Sequence, residues 1–302
     1  MSLITSFFNY YQKWGWENKL GLSARTHMAR WVGETFVRRS FAPDYENLMA
    51  QLLDPLDEIS RAVVKKVIER HYYIFTNNLL QHKRLFDAQE LANRQILDRV
   101  LPGLAAELNI PTTLTEASVL YYHHGLRHTD LPVDLFKSRF AAKDIIDVGA
   151  AIGDSAYIFH KFYQSRRIHS FEPGFHRLPL LRDFVARHQL DRVSLIEAAL
   201  GPEKGTLAGG EPVLTMDDYV AEHGIPVGLI KMDVEGFENT VLAGAGRTLR
   251  EQKPILIVSM YHDGNQFFDL LPQIQALQPE YQFAVRKIDD RSPVYETTLF
   301  AW

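Results

Sequence analysis

The richest chemistry in the chain lies between residues 144 and 155. Asp144, Ile145, Ile146, Asp147 and Val148 run into Gly149, Ala150, Ala151, Ile152, Gly153, Asp154 and Ser155. An apolar run followed by small residues reads as a buried strand, a tight turn and a helix start. Gly149, Ala150 and Gly153 carry little or no side chain, so a ligand can come close to the backbone there. A dinucleotide fingerprint needs glycine at the first, third and sixth positions. Counted from Gly149, those positions hold Gly149, Ala151 and Asp154, so the fingerprint fails twice. Asp147 and Asp154 would repel a pyrophosphate. They suit a cationic ligand, such as an ammonium or a sulfonium.

Three further groups carry chemistry. Glu172, in Phe171-Glu172-Pro173, stands 19 residues after Gly153. An acid at the end of the next strand can accept two hydrogen bonds from a ribose diol. Asp233 and Glu235 follow the apolar run 227–232, and an extended strand would point both to one side. Paired acids at a strand end orient a hydroxyl, accept its proton or ligate a cation. Glu238 reads as an acid favoured by the N-terminal dipole of the following helix. His262 ends the next apolar run, and an imidazole has the ordinary pKa of a general base near neutrality.

The elements that must position these groups are legible in the pattern. Strands are expected at Asp144–Ala150, Arg167–Glu172, Val193–Leu200, Val227–Val234, Pro254–Tyr261, Tyr281–Ile288 and Val294–Ala301. Helical stretches fill the early gaps and about 267–277, as in a mostly parallel α/β sheet. Asp289–Pro293 is too short for a crossover helix, so the last two strands must form an antiparallel hairpin. Residues 44–140 read as helical. Leu52, Leu56, Ile59, Val63 and Val67 recur on one helical face, Asp54-Pro55 reads as a helix start, and Asp87 to Glu90 as a capping box. That last helix should stop near Pro102. The expected division is a helical N-terminal region, 1–140, and a ligand-binding α/β domain, 141–302. The first serves as a lid, dimerisation unit or substrate platform.

Composition narrows the function. The 302 residues carry 33 Lys plus Arg against 37 Asp plus Glu, a net charge of −4, which disfavours a general nucleic-acid binder. With no cysteine, thiol catalysis and Cys-ligated zinc are excluded, and a cytoplasmic location fits. There is no apolar run long enough for a membrane span. Phe7, Phe8, Tyr10, Tyr11, Trp14 and Trp16 form an aromatic arm, expected to pack on the protein itself, a dimer partner or a membrane surface. His123, His124 and His128 form a second histidine group that reads as a solvated helix end or turn.

These motifs together resemble the FkbM family of S-adenosylmethionine-dependent methyltransferases. The matching stretches are Asp147–Ser155, Phe171–Pro173, Ala199–Gly201, Thr215–Tyr219, Leu229–Glu238 and Tyr261-His262, within a span from about Ser118 to Trp302. The resemblance implies a class I methyltransferase (Rossmann-like) fold, a seven-stranded mostly parallel sheet whose last strand is antiparallel. It implies that Asp147, Gly149, Ala150, Gly153, Asp154 and Ser155 hold the methionine end of the cofactor. Glu172, with Pro173, would take the ribose, and Ala199 would lie near the adenine. The implied activity is O-methylation of a sugar or secondary metabolite. For that chemistry His262 is the expected base, with Asp233 orienting it or the substrate and Glu235 beside them; a divalent metal on Asp233 is an alternative but not the expectation. A non-catalytic S-adenosylmethionine-binding module with an assembly role is the alternative. It would keep the glycine turn and Glu172 but need neither Asp233 nor His262.

Overall fold

A computed structural model describes residues 32–77, 85–108, 131–163, 165–174, 176–288, 290 and 292–302. The aromatic arm and the histidines at 123, 124 and 128 lie outside these residues.

The apolar runs form a seven-stranded sheet. Its strands are β1 (Asp144–Val148), β2 (Ile168–Phe171), β3 (Val193–Ile196), β7 (Val227–Met232), β8 (Ile255–Ser259), β9 (Phe283–Lys287) and β10 (Thr297–Ala301), in the order β3-β2-β1-β7-β8-β10-β9. β10 lies antiparallel between β8 and β9, and β3, β2, β1, β7 and β8 pair in parallel. The expected α/β class, the class I order and the terminal hairpin are all present. The alternation of strand side chains gives the sheet two buried faces. Ile146, Ile230, Leu256, Val258, Val285 and Leu299 enter one core, and Ile145, Leu229, Ile255, Ile257, Ala284 and Phe300 the other.

The predicted strand 193–200 is split in two. Ala199–Leu200 (β4) leaves the main sheet and pairs with β6 (Pro212–Leu214), which also pairs with β5 (Gly205–Thr206). Two- and three-residue strands carry too short a pattern to be read from alternation.

The helical region also departs from its pattern. After helical residues 32–40 come α1 (Tyr45–Leu53), α2 (Glu58–Asn77), α3 (Ala88–Leu108) and α4 (Val133–Phe140). The periodic face belongs to two helices rather than one. Leu52, Leu56 and Val67 are buried, but Ile59 is 53% exposed, and Val64 takes the core position beside half-buried Val63. Asp54 closes α1 instead of opening α2, where Asp57 Oδ1 accepts the Ser60 N–H at 2.7 Å. The intervening turn seats Leu56 against Phe283, at an isolated bridge to β9. The capping box is present: Asp87 accepts from Glu90 N (2.8 Å) and Glu90 from Asp87 N (2.9 Å). The helix nevertheless runs through Pro102, losing one backbone donor there.

α2 covers the outer edge of β9. Ser60 Oγ accepts from Val285 N–H at 2.8 Å and from Arg286 Nη1 at 2.6 Å, and Asp57 pairs with Arg286 at 2.9 Å. The helices before residue 141 therefore share a core with the sheet: Val32, Phe36, Leu48, Leu52, Leu56, Val64 and Val67 join Val285 and Leu299 in one cluster.

Candidate active site

Strand register sets the site. Val148 pairs with Phe171 on one side and Met232 on the other, and Met232 pairs with Val258. The residues that follow these strands therefore emerge along one edge, where an open α/β sheet takes its ligands.

The glycine turn is built from positive φ values at Gly149 (79°), Ala151 (48°) and Gly153 (102°). Phe171 O accepts from both Gly149 N and Ala150 N at 3.0 Å. The need for glycine here differs from the one inferred from composition. A Cβ on Gly149 would stand 1.9 Å from the Asp233 carbonyl oxygen, and one on Gly153 2.9 Å from the Phe184 ring. Both glycines make room for the protein itself as well as for the turn. α5 (Asp154–Phe162) begins immediately after, with half-buried Asp154 in its first turn. Burial pushes the Asp154 carboxyl up.

Behind the turn, Asp147 is fully buried. Its Oδ2 accepts from Ser155 Oγ at 2.8 Å, whereas its Oδ1 has no hydrogen-bond partner and lies 3.4 Å from Lys231 Nζ. Lys231, a residue the sequence reading gave no role, donates to Gly149 O at 2.8 Å. Burial alone would lower its pKa, but Asp147, Asp233 and Asp154 raise it, so the ammonium keeps its proton. Glu172, also buried, accepts from Ala151 N (3.0 Å) and Gly174 N (2.8 Å), with half-buried Pro173 between. Burial pushes this carboxyl up against the opposing charge of Arg177. Ala199 stands apart, paired with Val213 in the small sheet.

Two strands along the edge, the second group converges, though by a different route from the one expected. β7 stops at Met232, and Glu235 sits in left-handed backbone (φ 59°) before Gly236 (φ 97°). A turn, not strand alternation, brings Asp233 and Glu235 together. His262 Nε2 lies 3.4 Å from Asp233 Oδ1 and 3.3 Å from Glu235 Oε2, and its Nδ1 lies 3.3 Å from Glu238 Oε1. Glu238 opens α8 (Glu238–Ala243), as expected of a helix-start acid, and it is also fully buried and faces the histidine.

His262 is accordingly not an imidazole poised near neutrality. Both ring nitrogens face carboxylate oxygens, and the Gln266 amide nitrogen lies 3.5 Å from Nδ1. Burial alone would push its pKa down, but Glu238 and Glu235 hold it well above the ordinary value. The side chains of Asp233 and Glu235 are about one-third exposed, whereas that of His262 is 6% exposed. Desolvation pushes Asp233 up; at Glu235 it is outweighed by the His262 hydrogen bond, which pulls that group down. Arg177 Nη2, 3.6 Å from Glu235, links this cluster to the Glu172 side.

Among the described residues, Asp233, Glu238 and His262 each offer an atom within 4.8 Å of the others, close enough to surround a cation. Glu238, however, already takes Val234 N–H at 2.8 Å and the Gln266 amide. Elsewhere, a groove of about 200 Å³ is lined by Asp217, Arg247 and Thr248. Its Asp217 carboxylate is spent on the Arg247 and Thr248 N–H groups.

Residues 210–285 match the family model of the methyltransferase FkbM domain. The match begins after the glycine turn and Glu172 and includes Asp233, Glu235, Glu238 and His262. Methyltransferase FkbM from Methylobacillus flagellatus KT superimposes with a TM-score of 0.60 at 22% identity, over 89% of this chain and 60% of that one. This chain thus spans less than two thirds of that protein. The O-methyltransferase TomG from Streptomyces achromogenes, solved with SAM, gives a TM-score of 0.42 at 12% identity, over 76% of this chain and 93% of that one. A comparison with curated proteins gives no match. The chain has the fold of the class I methyltransferases, and its residues 210–285 match the methyltransferase FkbM domain that the motifs resemble.

Proposed function

We propose that the protein is an S-adenosylmethionine-dependent methyltransferase acting on a hydroxyl oxygen of a sugar or secondary metabolite. One observation carries the reading: a glycine turn braced by Glu172 and an acid–histidine cluster share one sheet edge, joined by Lys231 and Arg177. The residues present fit the cofactor. Asp147 Oδ1, buried and without a hydrogen-bond partner among the described residues, is balanced only by Lys231 at 3.4 Å beside a turn lined by small residues, and Asp154 adds a second acid. Asp147, Asp154 and Ser155 would hold the methionine end, Glu172 the ribose hydroxyls, and Ala199 the adenine side. When bound, the cofactor supplies the electrophilic sulfonium methyl.

The protein orients the acceptor and handles its proton. Asp233, the accessible carboxylate whose pKa is raised, would take the acceptor's hydroxyl proton as its oxygen is methylated. His262, charged and fixed beside it, stabilises the developing oxyanion, and Glu235 holds the Nε2 edge. This exchanges the roles first given to His262 and Asp233. The helical residues before 141 serve as a platform. Thr35 Oγ1 accepts from Gly264 N at 2.7 Å, so residues 32–40 stand against the loop that carries His262.

The test is calorimetry with S-adenosylhomocysteine, with NADH as control, followed by a labelled-methyl screen of neutral sugars and hydroxylated metabolites. Saturable binding of the first ligand alone, then label in an acceptor, supports the reading. Binding of neither ligand removes it.

A further inference from the structure

Glu238 is buried with no Lys or Arg paired to it among the described residues, and the mechanism above gives it no task. It sits at the start of α8, 24 residues before His262 in sequence, and meets His262 only through the fold. Oε1 accepts from Val234 N–H at 2.8 Å and faces His262 Nδ1 at 3.3 Å; Oε2 takes the amide of Gln266. Gln266, in α10 (Gly264–Leu277), braces the same histidine a second time. Its Oε1 accepts from the His262 backbone N–H at 2.9 Å, and its Nε2 also donates to Ser259 O at 2.7 Å. Gln266 Nε2 also lies 3.5 Å from His262 Nδ1, but its two protons go to Glu238 Oε2 and Ser259 O, so Glu238 Oε1, at 3.3 Å, is the nearer partner of the Nδ1 edge.

We infer that Glu238 is a positioning residue: its carboxylate takes the Nδ1–H of His262 and locks the ring so that Nε2–H alone faces Asp233 and Glu235. A ring turned over, or a ring that keeps its single proton on Nδ1, would present no donor where the oxyanion forms. The arrangement rests on the proposed use of His262 in methyl transfer. The charged groups around the ring are Glu238 from α8, Asp233 and Glu235 from the turn after β7, and Asp263 from its own loop. Lys231 and Arg177 lie behind those acids.

The test is long-range proton–nitrogen NMR on the full-length protein with labelled histidine, with His262 assigned from the spectrum that His262→Gln loses. In the wild type near pH 7.5 both ring nitrogens should carry protons. Glu238→Gln keeps the shape and an oxygen for Val234 N–H while removing the charge. It should shift the His262 Nδ1 signal and lower the ring's apparent pKa by about one to three units. Asp233→Asn should move the Nε2 signal and leave Nδ1 in place. A wild-type ring with one proton, or an unchanged His262 signal in Glu238→Gln, overturns the inference. These spectra need no cofactor. If S-adenosylhomocysteine fails to bind the wild type, the methyltransferase reading fails while the spectra still decide the Glu238–His262 contact. With an acceptor in hand, Glu238→Gln should lose about tenfold or more in kcat with little change in KM; an equal loss confined to KM overturns the positioning role.

Discussion

The carbonyl oxygen of Asp233 occupies the space that a Cβ on Gly149 would need, 1.9 Å from its ideal position. The glycine turn and the first acid of the acid–histidine cluster are thus fitted to each other through backbone. Gly149→Ala must push the two apart and also hold alanine at φ 79°. We expect a loss of about 2 kcal/mol or more in stability, measured by urea denaturation, together with weakened binding of S-adenosylhomocysteine. Wild-type stability in this variant would show that the two halves tolerate separation.

Glu172→Gln replaces one carboxylate oxygen with an amide that cannot accept from Ala151 N–H or Gly174 N–H. Charge-assisted hydrogen bonds are worth about 1.5–3 kcal/mol, so S-adenosylhomocysteine affinity should fall by about 10- to 100-fold in calorimetry. Unchanged affinity would remove Glu172 from the ribose.

Asp233→Asn should behave differently. It cannot take a hydroxyl proton, so turnover should drop by about 10²-fold or more while cofactor affinity stays within a few-fold. His262→Ala should follow the same split between rate and binding. Normal turnover in either variant, measured on an acceptor found by the screen, dismisses that residue from the chemistry.

His71 offers a pH test far from the chemistry. It is buried in α2, stacked on Phe36 at 3.8 Å, with no hydrogen-bond partner on either ring nitrogen. Burial lowers its pKa from 6.5 to about 3. Below pH 6.5 the unfolded chain gains a proton that the folded one refuses. Its contribution is therefore intact above pH 6.5 and is lost as pH falls, by about 1.4 kcal/mol per pH unit. His71→Phe should flatten this slope between pH 6.5 and 5 in denaturation curves. Parallel curves for wild type and variant would mean that His71 finds a proton acceptor.

Ser60→Ala would leave the Val285 N–H and the Arg286 guanidinium short of an acceptor at the edge of β9. About 1–3 kcal/mol of stability should be lost in urea, with increased light scattering on heating. A neutral result would mean that water replaces the hydroxyl.

The strand ends were legible because each apolar run is short, buried on both faces and followed by residues whose types do chemistry. That is how Gly149, Glu172, Asp233 and His262 could be placed on one edge before any coordinates. Glu238 is the helix-start acid that its position indicated, but its contact with His262 had no local signal. Its burial is decided by Gln266, 28 residues downstream, and by Val234. Lys231 was passed over because a lysine inside an apolar strand has no local signature of its partners, Gly149 O and Asp147. The state of His262 was equally hidden, since an imidazole's ordinary pKa says nothing about three carboxylates arriving from a turn and a helix. In the helical region, periodicity located the apolar side and Asp54-Pro55 marked a break, but that pair ends α1 rather than opening α2, and the turn after it delivers Leu56 to Phe283.

The place of β10 bears on how the molecule can be made. As the chain leaves the ribosome, β9 appears before the strand that must sit between it and β8. Until residues 297–301 arrive, β9 has no neighbour on its inner side, and α2, made long before, can hold it only from outside. Translation that halts before Thr297 would remove an inner stave of the sheet, not its fringe. The glycine turn around Gly149 would then be complete in a nascent chain whose other sheet end is still open.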